Sequence, residues 1–101
     1  MNEIWRVLVD GGWLLSRTPS TDGRGAFQDP THCSYWNENS FFYYTSRDHA
    51  RYVPEIRCRF QGVRIATDYP NDWCREHDVP YVYADLAAVK TWRRRPGRIV
   101  I

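Results

Sequence analysis

Residues 40–62, with the sequence SFFYYTSRDHARYVPEIRCRFQG, constrain the fold more than any other stretch. Four consecutive aromatic residues, 41–44, favour a strand, in which successive side chains point to opposite faces of a sheet. The hydroxyl of Thr45 or Ser46 can accept a hydrogen bond from a free amide in the first turn of a helix, and Gly62 is a typical residue just past a helix end. The stretch therefore predicts a central strand that runs directly into a helix.

Pro54 interrupts this predicted helix. Proline lacks an amide donor, and its ring clashes with the carbonyl four residues earlier. Residues 47–53 and 54–60 are therefore predicted to form two short helices or one kinked helix. One apolar face is expected to cover the sheet. It comprises Ala50, Val53, Ile56 and Phe60.

The first sixteen residues predict a β-hairpin. Residues 3–9 and 13–16 alternate in polarity, and the Asp10-Gly11-Gly12 turn between them supplies the positive φ angles that a tight hairpin needs. The odd-numbered side chains are expected to face the core. They are Trp5, Val7, Val9, Trp13 and Leu15.

Further elements are predicted after the kinked helix. Residues 63–68 alternate as a strand does, and Asn71 or Asp72 can cap a short helix over 73–77. The β-branched and aromatic content of residues 79–83 favours another strand. Helical spacing of some apolar residues leaves 79–84 open between strand and helix. These residues are Val79, Val82, Leu86 and Val89.

The C-terminal residues predict a helix over 85–94, which Pro96-Gly97 ends, and a last strand over 98–101 that pairs with the sheet edge. Together the elements predict an α+β fold with a small, mostly antiparallel sheet, built from the hairpin, the central aromatic strand and further strands. One kinked helix is expected on one face of the sheet, with one or two short helices near the C-terminus.

Length and composition describe a single soluble domain over residues 1–101, since 43% of the 101 residues are hydrophobic and 26% are charged. No apolar run approaches the roughly 20 residues of a membrane-spanning helix. The first residues, MNEIWRV, lack the basic-then-apolar order of a secretory signal. The odd set of Cys33, Cys58 and Cys74 favours reduced thiols over disulfides. We therefore expect a cytoplasmic protein.

Residues 17–39 are polar and lack strand or helix periodicity, which predicts a long loop. Loops of this length inside compact domains are usually functional or mobile. The aromatic residues of this loop either pin it to the sheet or contact a partner, because Tyr and Trp are enriched at binding hot spots. The candidate partner-binding residues are Arg17, Arg24, Phe27, Tyr35 and Trp36.

The basic charge is concentrated at the C-terminus. Residues 1–89 carry nine Lys or Arg against all twelve acids, whereas residues 90–101 carry five bases and no acid. Cations that can meet phosphate surround an indole that can stack on a base, which makes nucleic-acid binding an alternative function. Arginines at a helix C-terminus also complement the helix dipole without any partner. The candidate nucleic-acid-binding residues are Lys90, Trp92, Arg93, Arg94 and Arg95.

Two pairs of potential zinc ligands occur, His32 with Cys33 and Cys74 with His77. Thiolates and imidazoles are the ligands that tetrahedral zinc prefers, but these pairs include no C-x-x-C spacing. Buried cysteines and surface histidines explain them more simply, so no metal or other cofactor is predicted. Cys33 beside His32, with Asp29 nearby, lacks a recognisable nucleophile motif. A small zinc-dependent or thiol enzyme is therefore only an alternative.

In its size, its lack of a catalytic signature and its strand-strand-strand-helix-strand layout with a long polar loop, the chain resembles small accessory proteins encoded by phages and prophages, anti-CRISPR proteins among them. The resemblance implies a non-enzymatic protein-binding module, an inhibitor that occludes a bacterial defence complex such as a CRISPR–Cas effector in the host cytoplasm. The chain is not strongly acidic, so mimicry of a nucleic-acid backbone is not expected. Aromatic and arginine anchors would be needed instead.

Overall fold

Residues 1–91 are described by the structure, a computed structural model, and they form a three-stranded sheet with short helices. The predicted α+β class is confirmed. In chain order the elements are α1 (Asn2–Val7), β1 (Trp13–Pro19), a 3-10 helix (Arg24–Ala26), α2 (Glu38–Thr45), α3 (Arg47–Ala50), β2 (Phe60–Asp68), α4 (Asp72–Glu76) and β3 (Tyr81–Ala88).

The sheet has the order β1-β3-β2, and both outer strands run antiparallel to β3. Trp13 lies opposite Ala87 on one side of β3, and Phe60 lies opposite Ala88 on the other. The register of β2 shifts at a bulge between Gly62 and Arg64. The strand predicted over 63–68 is thus confirmed within β2, and the strand predicted over 79–83 is confirmed over 81–83, since β3 begins at Tyr81.

β3 continues to Ala88, so the helix predicted to begin at residue 85 is wrong over residues 85–88. Strand alternation decides the burial here, because Asp85 lies between Leu15 and Arg64 while its neighbours point to the core. Four even-numbered residues of β3 are completely buried: Val82, Ala84, Leu86 and Ala88. The remainder of that predicted helix and the strand predicted over 98–101 lie outside the described residues.

The aromatic run 41–44 belongs to the helix α2, so the predicted central strand is wrong. Asn37 begins the helix with a capping box, in which its side chain accepts from the Ser40 amide at 3.3 Å and the Ser40 hydroxyl accepts from the Asn37 amide at 3.0 Å. The helix places Phe41 in the core beside Phe60. Burial of this one ring outweighs the weak strand preference of the aromatic run.

The predicted N-terminal hairpin is wrong in its first half, because residues 2–7 form α1. The turn after it is confirmed, and Gly11 has a φ of 81° there. Trp5 and Leu8 pack against the core, whereas Val7 and Val9 are exposed. The predicted inward face of β1 is also wrong. Leu14 packs against the core cluster and Leu15 is exposed.

The kinked helix predicted over 47–60 is not found, since only Arg47–Ala50 is helical in that range. The segment beyond it is instead fixed to α1 by Asn2. The Asn2 side chain accepts from the amides of Arg57 at 2.9 Å and Cys58 at 3.0 Å, and donates to the Glu55 carbonyl at 2.7 Å. These bonds hold an irregular backbone in place without helical hydrogen bonds.

The predicted caps at 62 and 71 have opposite outcomes. Gly62 does not end a helix, because it lies inside β2. Asn71 does begin α4, and its side chain accepts from the Cys74 amide at 2.8 Å.

Within residues 1–91 no helix has both the length and the apolar content to cross a membrane.

Candidate functional site

The long loop between β1 and α2 is closed at its base by backbone hydrogen bonds. The Thr21 amide donates to the Trp36 carbonyl at 2.8 Å, and Ser20 forms an isolated parallel bridge with Trp36. The Asn37 side chain donates to the Thr21 hydroxyl at 2.9 Å. Residues 20–37 thus form a loop whose two ends meet. We call it the closed loop.

The closed loop also docks against the residues that precede β3. The Ser20 amide donates to the Pro80 carbonyl at 2.9 Å. Gly25 is buried, and a Cβ atom at this position would lie 2.7 Å from Cγ1 of Val79, so only glycine permits this approach. Within the loop, the Asp29 carboxylate accepts from the amide and hydroxyl of Thr31. These bonds lower the pKa of Asp29.

The structure separates the three candidate aromatic residues of this loop. Phe27 and Tyr35 pair with their ring centroids 5.1 Å apart, and they are 57% and 51% exposed. Trp36 instead packs against Phe41 at 5.1 Å and Tyr44 at 5.8 Å. Its indole N–H donates to the Ser34 hydroxyl at 2.9 Å. Trp36 therefore pins the loop to the core, while Phe27 and Tyr35 present an aromatic surface.

The two candidate arginines are exposed but lie on different elements. Arg24 begins the 3-10 helix, and the amide of Phe27, which directly follows this helix, donates to the Arg24 carbonyl at 2.9 Å. Arg24 is thus part of the same short segment as Phe27. Arg17 lies in β1 opposite Tyr83 and belongs to the sheet. The proposed set is therefore only partly brought together.

A cleft of about 250 Å³ lies between the closed loop and α2. We call it the aromatic cleft. It was not predicted, because the tyrosines of α2 were assigned to a strand. At 100° per residue, positions 40, 43 and 44 share one face of a helix. The lining residues are Ser34, Tyr35, Trp36, Ser40, Tyr43, Tyr44, Val53 and Ile56.

Burial affects the pKa of two groups, Tyr44 in the cleft and Cys58 in the core. Burial raises the pKa of the Cys58 thiol, and burial together with the nearby Cys58 raises the pKa of the Tyr44 hydroxyl. A thiol is nucleophilic only as the thiolate. Cys58 therefore lacks the exposed setting of a reactive cysteine, and packs in the core instead.

The four candidate zinc ligands have structural contacts of their own. Nδ1 of His32 lies 2.9 Å from the Ala26 carbonyl oxygen. The His77 ring stacks on Trp73 with 4.1 Å between centroids. Cys33 is exposed and Cys74 is buried in α4. Across residues 1–91 the structure contains no cluster of three or more His, Cys, Asp or Glu side chains that could hold a metal ion.

Of the candidate nucleic-acid-binding residues, only Lys90 lies in the described part of the chain; Trp92, Arg93, Arg94 and Arg95 lie outside it. The ammonium group of Lys90 lies 4.7 Å from the Trp5 ring centroid and donates to the Arg6 carbonyl at 3.1 Å. The Lys90 amide donates to the Asp10 carboxylate. Lys90 thus fastens the end of the sheet to α1.

Comparison with protein-family models, with curated proteins and with solved structures found no match to this chain.

Proposed function

We propose that this chain is a non-enzymatic protein-binding module that uses the surface of the closed loop. The observation that carries the proposal is the exposed Phe27–Tyr35 pair. Large aromatic side chains lose little conformational entropy on binding and are common hot spots at interfaces. The adjacent Arg24 supplies a cation that can pair with a carboxylate of the partner.

The construction of the loop supports this assignment. Binding costs less when a surface is already ordered, because less conformational freedom is lost. The Thr21–Trp36 bond closes the loop, and Gly25 docks it beside Val79. The aromatic pair is thus held in place before any partner arrives.

We further propose that the partner is a bacterial defence complex, such as a CRISPR–Cas effector, and that the chain is a phage-encoded inhibitor acting in the host cytoplasm. This finer proposal rests on the aromatic and arginine anchors that such an inhibitor would need, which Phe27, Tyr35 and Arg24 supply. The layout that also suggested it is different in the structure, in which a helix precedes the first strand and two helices separate β1 from β2.

The test is to mix the protein with a panel of purified bacterial DNA-targeting defence complexes and to measure their binding to target DNA. We expect the protein to co-purify with at least one complex and to block its binding to DNA. The variant Phe27→Ala should lose both effects. Trp73→Ala is the matched control, since Trp73 is an equally exposed aromatic residue outside the closed loop.

Two results would contradict the proposal. If no complex in the panel is bound or blocked, the defence partner is wrong. If Phe27→Ala blocks a complex as strongly as the unaltered protein, the closed loop is not the binding surface. Circular dichroism of each variant verifies that the fold is intact.

A further inference from the structure

We propose that the aromatic cleft binds one apolar side chain from an acidic peptide segment of the partner. The inference rests on the proposed function, because it assigns a ligand class to a site beside the closed loop. It follows from the lining of the cleft, its size and the distribution of charge around it.

The walls of the cleft are mostly apolar, and several of the lining side chains already contact one another. Trp36 stacks on Tyr44 with the ring planes 24° apart, and its only N–H is used by Ser34. The Ser40 hydroxyl is engaged in the capping box of α2. What the cleft offers a ligand is therefore mostly ring faces, together with the aliphatic Val53 and Ile56. Such a lining favours an apolar group over a polar one.

The volume sets the size of the ligand. At about 250 Å³ the cleft is smaller than the roughly 300–1,000 Å³ of sites that hold drug-sized molecules. It is open to solvent, so that one side chain can enter while its backbone stays outside. A single anchoring residue of a peptide fits this geometry better than a whole metabolite does.

The charge beside the cleft favours an acidic ligand. Residues 46–59, which supply Val53 and Ile56, carry four arginines against two acids. The rest of the described chain, residues 1–45 and 60–91, carries six bases against ten acids. An acidic segment is therefore attracted to this edge more strongly than to the rest of the described chain.

Two of these arginines lie close in sequence to Val53 and Ile56 of the cleft. Arg51 and Arg57 are exposed, and neither forms an ion pair within residues 1–91. Arg51 donates to the Tyr52 hydroxyl at 3.2 Å and lies 5.1 Å from the centroid of that ring. Arg57 directly follows Ile56 of the cleft, so their Cα atoms are about 3.8 Å apart. Both can meet carboxylates that flank an anchoring side chain.

The experiment uses fluorescence anisotropy with short labelled synthetic peptides. One has a central leucine in a frame of Asp and Glu, a second has glycine in place of that leucine, and a third has the leucine in a frame of Lys. We expect the acidic leucine peptide to bind at least about tenfold more tightly than either of the others, a difference of about 1.4 kcal/mol. Its affinity should fall as salt is raised.

Two pairs of variants locate the binding. Val53→Asp puts a carboxylate in the cleft and should lower the affinity for the acidic leucine peptide at least about tenfold. Val7→Asp, on an exposed valine of α1, should leave it unchanged. The charge reversal of Arg51 and Arg57 to Glu should weaken binding of the acidic leucine peptide and make its affinity less dependent on salt. Arg75→Glu, an exposed arginine of α4, is the matched control.

Several outcomes would overturn the inference. Equal or tighter binding of the Lys-framed peptide would show that the cleft prefers a cation, and equal binding of the glycine peptide would show that no anchor enters it. The peptide comparison stands even if Val53→Asp fails to fold. If a defence complex is bound and blocked by both the unaltered protein and Val53→Asp, the cleft assignment fails and the proposed function survives. If the acidic leucine peptide binds as expected but no defence complex is bound, the proposed function fails and the cleft assignment survives.

Discussion

Tyr35 and Trp36 are adjacent in the chain, yet one faces solvent and the other packs against the core. Tyr35 pairs with Phe27 on the loop surface, whereas Trp36 contacts Phe41 and Tyr44. The bond from the Thr21 amide to the Trp36 carbonyl fixes the backbone between these two environments. The two neighbouring aromatic residues therefore have different roles: Trp36 stabilises the loop, and Tyr35 is available for a partner.

The largest effect is expected when each ring is removed in turn, which tests whether Trp36 and Tyr35 have these different roles. Trp36→Ala should lower the free energy of unfolding by about 2–3 kcal/mol, somewhat less than the roughly 3–5 kcal/mol for a fully buried Trp or Phe. Tyr35→Ala should change it by no more than about 0.5 kcal/mol, because the ring is half exposed. Urea unfolding followed by circular dichroism measures both. An equal decrease in the free energy of unfolding for the two variants would show that both rings contribute to stability.

The base of the loop offers a second way to separate folding from binding. Asn37→Ala should cost about 1–2 kcal/mol of stability, because it removes the cap of α2 and the bond to Thr21 together. Asn39→Ala is the matched control, since Asn39 is an exposed amide in the same helix. Urea unfolding of the two variants provides the comparison. A cost as small for Asn37 as for Asn39 would mean that the capping box contributes nothing.

The stability that the core residues Cys58 and Tyr44 contribute should also depend on pH. Burial raises the pKa of Cys58 and of Tyr44, so each folded group binds its proton more tightly than the unfolded one. Their contribution is complete below the unfolded pKa of the thiol, about 8.5, and is lost as the pH rises through the raised folded pKa. Stability should therefore fall above about pH 9.

The measurement for that effect is urea unfolding at a series of alkaline pH values. Cys58→Ala should flatten the fall, whereas Cys33→Ala, which removes an exposed thiol, should not. An identical slope in both variants would remove Cys58 from the explanation.

The smallest effect is expected from the basic residues near the C-terminus. If the closed loop is the binding surface, the triple variant with alanine at Arg93, Arg94 and Arg95 should bind the partner complex within about threefold of the unaltered protein. Retained binding within that range corresponds to less than about 1 kcal/mol. The nucleic-acid alternative expects instead that the unaltered protein binds short DNA or RNA with steep salt dependence, and that the triple variant does not.

Local signals in the sequence predicted part of the fold correctly. The turn at Gly11, the cap at Asn71 and the strand within β2 each depend on residues a few positions apart. β3 was harder because its small buried residues, Ala84 and Ala88, favour a helix over a strand. Its length follows from pairing with β1 and β2, which the local sequence does not contain.

The site was less predictable than the fold. Phe27 and Tyr35 could be singled out as aromatics in a polar loop, but their exposure and the burial of Trp36 depend on how that loop closes. The aromatic cleft needs Tyr43 to lie on a helix and Val53 to approach from beyond α3. Both conditions are set by tertiary packing. An Asn-x-x-Ser capping signal at Asn37 was the one local sign that residues 41–44 are helical.

The most direct test of the central claim uses the double variant Phe27→Ala, Tyr35→Ala. Its affinity for the captured complex and its free energy of unfolding are measured on the same preparation. We predict an affinity loss of about a hundredfold, or about 2.7 kcal/mol, with stability within about 0.5 kcal/mol of the unaltered protein. Unchanged affinity in a stably folded double variant would contradict the assignment of the Phe27–Tyr35 pair as the binding surface.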